Sequence, residues 1–197
     1  MLTFKELKAH CSSDLHRYEG NSDKMSFLRA YIFIPGFKYM FHMRLCDYLY
    51  GKNALFRPLY VVSRLILSHH KYKYGISIHF KTNIGKGFFI GNFGNIFVSP
   101  KAVIGDNCSI IQGVTIGGKN RGKHMGSPVI GDGVYIGSGA KVIGAVKVGN
   151  NVAIGSNCVV TKDIPDDAVV VGVPGKVISY EGAKDYVINV DYPSPEQ

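Results

Sequence analysis

Histidine is the side chain that gives and takes a proton near neutral pH, and two of the seven here stand where chemistry could use them. His124 lies in residues 118–128, GKNRGKHMGSP, close to Lys119, Arg121 and Lys123. In such a loop it reads either as a general base or as an exposed side chain among cations. His79 reads either as a second base or as a structural residue next to the N-terminal segment. His69 and His70, with Lys71 and Lys73, form a basic junction that either meets a phosphate or is solvated linker. The four cysteines, Cys11, Cys46, Cys108 and Cys158, contain no CxxC pair. Neither a zinc site nor a disulfide scaffold is expected, and no metal is assigned.

The balance of 46% apolar and 19% charged residues is that of a globular chain. The formal charge of +9 is unevenly spread. Residues 1–76 hold 12 Lys/Arg against 5 Asp/Glu, and residues 77–197 hold 11 against 9. A basic first third attracts anionic lipid, a phosphorylated substrate or nucleic acid. With no spaced Cys/His finger and no RNP-like aromatic motif, nucleic acid is set aside. The most apolar stretch, residues 30–37, is far short of the ~18 residues a membrane helix needs. Residues 1–13 carry Lys5, Glu6 and Lys8 and no apolar run of signal-peptide type. The expectation is a cytoplasmic protein, with peripheral membrane contact through the basic N-terminal segment left open.

The elements that must position these residues follow from a repeat. Every sixth residue from Ile78 is aliphatic: Ile78, Ile84, Ile90, Ile96. The count restarts at Val98, Ile104, Ile110, Ile116, and again at Ile130, Ile136, Val142, Val148, Ile154, Val160. Four residues after these come small or β-branched groups: Ala102, Cys108, Val114, Val134, Ala140, Val146, Val152, Cys158. A six-residue unit is a short strand and a turn, with one β-branched residue pointing inward. Three units close a triangular coil, and coils must stack to bury their aliphatics. Cys108 and Cys158 are then core filler. The register slips at residues 96–98 and across residues 118–128, which read as a loop thrown out of the coil.

Residues 1–75 read as a helical N-terminal cap. Met40, Phe41, Leu45, Tyr48 and Leu49 fit one helical face; Leu55, Leu59, Val62, Ile66 and Leu67 suggest another, with Pro58 in its first turn. The cap is expected to close the open end of the first coil. Residues 76–178 form the coil domain, and residues 179–197, with Pro193 and Pro195, a tail ending in a frayed strand.

Residues 76–178, about half the chain, resemble the serine acetyltransferase-like branch of the hexapeptide-repeat acyltransferases. The carrying motifs are KAVIGDNCSIIQGVTIGG at residues 101–118, PVIGDGVYIGSGAKVIGAVKVGNNVAIGSNCVVTKDIPDDAVVVGVPGKVI at residues 128–178, and the loop between them. The cap resembles the shorter helical caps of members found with surface-polysaccharide genes, and is shorter than the long helical domain of serine acetyltransferases proper. The resemblance implies a mainly β fold, a left-handed parallel β-helix, against the usual right-handed crossover. It implies a homotrimer with active sites in grooves between neighbouring helices, and acetyl-CoA as donor. Contacts to the donor then fall on Gly117 and Gly118, on Ser138, Gly139, Ala140 and Lys141, and on Lys162, Pro174 and Lys176. Small residues admit the pantetheine arm to backbone, and cations meet phosphate. For Gly139 and Ala140 coil geometry alone is the other reading.

The chain departs from the family at the reacting end. Members carry a proton-accepting histidine in D-H-A-T-G or I-G-H-F-G. Here Ile90-Gly91-Asn92-Phe93-Gly94 puts Asn92 in its place, and an asparagine exchanges hydrogen bonds but takes no proton near neutral pH. Gly91 and Ser77 stand at carboxylate positions, and Ser127 at that of a second histidine. Either His124 or His79 serves as base, or the acceptor is a sugar amine oriented by Asn92, or the protein is an inert β-helix that binds a glycan or a partner. The favoured expectation is an acetyl-CoA-dependent O-acetyltransferase acting on a saccharide hydroxyl in surface-polysaccharide modification. Serine O-acetylation in cysteine biosynthesis is the alternative.

Overall fold

The computed structural model describes residues 2–192. Helix α1 (Phe4–Glu19) starts at a capping box, in which Thr3 Oγ1 accepts from the Glu6 amide and the Glu6 carboxylate accepts from the Thr3 amide. Helix α2 (Lys24–Phe33) starts on the Asp23 carboxylate. Helices α3 (Pro35–Leu49) and α4 (Arg57–Tyr74) each carry proline in the first turn, where its missing N–H costs nothing. Of the face expected on α3, Met40 and Leu49 are buried and Phe41, Leu45 and Tyr48 half-buried. The face expected around α4 is turned the other way. Of its five residues only Leu67 is buried; Ile66 is half-buried, and Leu55, Leu59 and Val62 are exposed. The buried stripe is Ser63, Leu67, His70 and Tyr74, because α4 meets α3 through polar contacts: Ser63 Oγ lies 3.4 Å from His42 Nδ1 and 3.3 Å from Cys46 Sγ.

The rest is a left-handed β-helix of five coils. The first coil holds β1 (Ile76–Ile78), β2 (Asn83–Ile84) and β3 (Phe89–Ile90). The second holds β4 (Ile96–Val98), β5 (Val103–Ile104) and β6 (Ser109–Ile110), and the third β7 (Thr115–Gly117), β8 (Val129–Ile130) and β9 (Tyr135–Ile136). The fourth holds β10 (Lys141–Ile143), β11 (Lys147–Val148) and β12 (Ala153–Ile154); the fifth holds β13 (Val159–Val160) and β14 (Val169–Val171). A final strand, β15 (Lys176–Ser179), pairs antiparallel with β14. Stacking makes three parallel sheets: β1-β4-β7-β10-β13, β2-β5-β8-β11, and β3-β6-β9-β12-β14. All fourteen aliphatics of the repeat, and all eight small residues that follow them, are buried in the core.

The two register slips have different structures. Ile78 pairs with Val98, twenty residues on, whereas Val98 pairs with Ile116 after eighteen. The two extra residues widen the corner at residues 91–95, where Gly94 and Asn95 take positive φ. The longer insertion, residues 118–128, is a hairpin-like loop in which the Lys119 and Gly126 backbones exchange two hydrogen bonds.

The cap closes the first coil chemically as well as sterically. The outer edges of β1, β2 and β3 have no preceding coil to pair with. Tyr39 Oη bonds both backbone groups of Ile78, Tyr18 Oη both groups of Ile90, and Arg44 donates to the carbonyls of Ile84 and Gly85. Three cap side chains thus stand in for the missing strands. Arg44 is held by the buried carboxylate of Asp14, which also accepts from the Phe88 amide.

As far as Tyr192 the tail is held against the coil. After β15 it runs back along the corner between the second and third sheets. Ala183 N donates to Asn151, Tyr186 stacks on Tyr135 with centroids 4.7 Å apart, and Tyr192 Oη donates to Asn107 at 2.8 Å. It reaches α1, where Asp191 lies 3.1 Å from His16 Nε2 and Arg17 Nε donates to the Ile188 carbonyl. Aromatic stacking and these polar contacts give the segment specific partners. Pro193 and Pro195 lie outside the described residues.

Candidate functional site

A triangular coil has three corners, and the candidate residues divide between two of them. The corner between the first and second sheets carries His79 in the first coil, Gly117, Gly118 and the 118–128 loop with His124 in the third, and Lys162 in the fifth. The corner between the third and first sheets carries Asn92 in the first coil, Ser138, Gly139 and Ala140 in the third, and Pro174 beyond β14. Lys141 opens β10 just past that corner, and Lys176 opens β15. Within one chain the fold puts His79 and His124 on one corner and Asn92 on another.

His79 is exposed at the rim of a cleft of about 260 Å³ between α4 and the first two coils, with Arg64, Lys71, Ser77, Phe97 and Pro100 among its walls. Its Nδ1 accepts from the Lys81 amide at 3.1 Å, and its ring leans on Phe80 with centroids 4.7 Å apart. Burial first, then the cations Arg64, Lys81 and Lys71, push its pKa below the ordinary histidine value. The ring is therefore neutral at pH 7; with Nδ1 accepting from the Lys81 amide its own proton sits on Nε2, and it takes a further proton only by giving up that bond.

His124 is half-buried with φ +64, folded back so that its carbonyl accepts from the Ala145 amide at 2.8 Å. The loop base is fixed by Ser127 Oγ, 3.0 Å from Ser99 Oγ. Asn92 is exposed on the widened corner; its neighbour Phe93 packs on Tyr74 at 5.5 Å between centroids.

The donor positions vary in what they offer. Gly117 is buried, its carbonyl accepts from the Gly144 amide at 2.9 Å and a Cβ on it would meet Ile143 Cδ1 at 2.9 Å, so the coil itself fills its surroundings and it is no donor contact; Gly118 is exposed at the loop base, where a Cβ would meet Ser127 Oγ at 3.0 Å. Gly139 takes φ +71, and a Cβ there would lie 2.2 Å from Asn157 Oδ1. Ser138 is half-buried; Lys141, Lys162, Pro174 and Lys176 are exposed, with Lys141 Nζ donating to the Gly139 carbonyl. Ala140 is a correction. Its side chain is fully buried in the coil, its amide donates to Gly137 and its carbonyl accepts from Thr115, so it has nothing left for a ligand. His70 is likewise turned inward, against His42 and Tyr74, and cannot meet a phosphate. Arg64 was not singled out by sequence pattern; the one available signal is that no Asp or Glu occurs from residue 48 to residue 105. Among the described residues no cluster of metal-ligating side chains occurs.

Residues 127–162 match the family model for bacterial transferase hexapeptide (six repeats). The serine acetyltransferase of Bacillus pumilus is 40% identical over 128 residues, 65% of this chain and 59% of that protein. The crystal structure of Neisseria gonorrhoeae serine acetyltransferase in complex with serine superposes with a TM-score of 0.69 at 30% identity, over 86% of this chain and 68% of that one. The chain belongs to the serine acetyltransferase-like branch of the hexapeptide-repeat acyltransferases. A serine acetyltransferase solved in complex with CoA is also similar, at 28% identity and TM-score 0.66, over 86% of this chain and 68% of that one. The chain spans about three fifths of the length of the curated relatives it matches. The left-handed coil and small residues at its corners are thus present.

Proposed function

We propose that the chain is an acetyl-CoA-dependent O-acetyltransferase working as a homotrimer, with a site shared between neighbouring chains. The carrying observation is the division of candidate residues between two corners of the coil. A groove where one chain's first–second corner faces a neighbour's third–first corner would bring His79, His124 and Gly118 opposite Asn92, Gly139 and Lys141. The donor's thioester supplies an activated acetyl group. The exposed backbone at Gly118 faces its arm, and Lys141, Lys162 and Lys176 offer cations to its phosphates. His79 takes the proton of the attacking hydroxyl on Nδ1, giving up the bond from the Lys81 amide, with His124 as the second candidate for that role. The Asn92 amide orients the acceptor or donates to the developing oxyanion.

For the acceptor, the relatives' names favour serine over the saccharide hydroxyl expected from sequence, and serine is the reading adopted. Against it stand Gly91 and Ser77, which put no carboxylate at the two positions where the resemblance expects one for the ammonium group. The test is calorimetric titration with CoA, followed by thiol release from acetyl-CoA with serine or with sugars as acceptor. Thiol release with serine is the expected outcome. Release with sugars alone overturns the acceptor, and failure to bind CoA overturns the donor and with it the enzyme reading.

A further inference from the structure

Helix α4 carries its apolar side chains on the wrong side for a soluble cap. The face packed on α3 is Ser63, Leu67, His70 and Tyr74. The opposite face presents Leu59, Val61, Val62, Leu65 and Tyr72 to solvent, with Leu65 at 65% and Tyr72 at 79% exposure, and Leu55 in the turn before it at 82%. At 3.6 residues per turn these fall on one side of the helix, where Ile66, half-buried, also lies. Isolated exposed leucines are ordinary, but a continuous row along a helix signals something that covers it.

The charges around the row say what. Arg57, Lys71 and Lys73 are exposed on α4, and the run without acid from residue 48 to residue 105 contains the whole helix. Helix α2 also exposes Met25, Leu28 and Ile32, near Arg29 in sequence. A second copy paired two-fold through this same face would set cation against cation, whereas an anionic bilayer covers the apolar row and neutralises its flanks.

We infer that the outer face of α4 docks the protein peripherally on an anionic phospholipid surface. Leu59, Val62 and Leu65 enter the boundary between headgroups and acyl chains, and Arg57 and Lys73 meet headgroup phosphates. The helix lies in the interface rather than across it: no helix among the described residues is long and apolar enough to cross a membrane.

The experiment is flotation of the full chain with phosphatidylcholine vesicles, with and without about 30% phosphatidylglycerol. The chain is expected to float with the anionic vesicles, to stay behind with phosphatidylcholine alone, and to be released by high salt. Val62→Glu/Leu65→Glu, both at exposed positions, should weaken binding at least about tenfold with helical content unchanged, and Arg57→Glu/Lys73→Glu should do the same through charge alone. Failure of the unmodified chain to float overturns the inference, as does equal binding to both vesicles or undiminished binding by the first variant. If the unmodified chain stays behind and that variant lowers the mass seen by light scattering, a second copy covers the face and the inference is again overturned.

Discussion

The Tyr39 hydroxyl closes two hydrogen bonds with a single residue: it donates to the Ile78 carbonyl at 2.7 Å and accepts from the Ile78 amide at 3.0 Å. Both groups are buried, so removing the oxygen leaves an edge strand unpaired without water to replace it. Tyr39→Phe should lose about 2–3 kcal/mol of stability, read as a lower urea midpoint by circular dichroism. A loss below about 0.5 kcal/mol would mean that the cap does not hold the first coil through this contact.

Gly36 marks the closest approach of the cap to the coil. A Cβ there would meet the Ile90 carbonyl oxygen at 2.5 Å and Ile90 Cβ at 2.9 Å, and neither atom sits on a flexible side-chain end. Gly36→Ala should therefore destabilise by about 1–3 kcal/mol, although alanine is the better helix former. A variant with unchanged melting temperature would show that α3 can lift off β3 freely.

Acid should loosen the cap. Burial is the largest cause that brings His10 and His70 to about 4, with Arg44 also acting on His10, and His42, His69, Lys38 and Lys73 on His70. Their folded pKa lies below the unfolded value, so the unfolded chain binds more protons between the two. Stability is then full above about pH 6.5 and falls as pH drops towards 4. Melting curves across that range should show the decline, and His70→Asn should make it shallower. A melting temperature independent of pH from 6.5 to 4 would count against it.

The strap formed by the tail can be tested by proteolysis. Tyr186→Ala removes the ring stacked on Tyr135, at a cost of about 1 kcal/mol locally. Cleavage within residues 180–192 should speed up several-fold while the coil remains resistant. Equal cleavage rates would place the holding contacts elsewhere, at Arg17 and Asn107.

If acetyl transfer is the activity, His79→Gln should lower kcat by about a hundredfold or more. The direction of its pKa shift sets the pH profile: the acid limb of the unmodified enzyme should fall below the ordinary histidine value of 6.5 and vanish in the variant. If His124→Gln instead removes that limb, the loop histidine is the base.

The β-helix was legible from Ile78 to Val160 because each six-residue unit obeys one local rule, an inward β-branched residue followed by a turn. Fourteen such residues in register leave no competing fold. The position of the 118–128 loop was legible for the same reason, as the place where the rule lapses. The site was legible only as a set of residue types. Ala140 looked like a ligand contact by likeness to the family, yet its four-residue offset from Ile136 makes it one of the inward positions.

Periodicity alone thus determines the coil, its core and its interruptions, since those depend on residues close in sequence. That His79 and Asn92 fall on different corners also follows from the repeat, since they lie two six-residue units apart, but which face of α4 is buried and where residues 180–192 run depend on contacts between distant segments. An amphipathic pattern shows that a helix has two faces, but the neighbouring helix decides which one is covered. Here His42 and Cys46 met Ser63, and the aliphatic side was left outside.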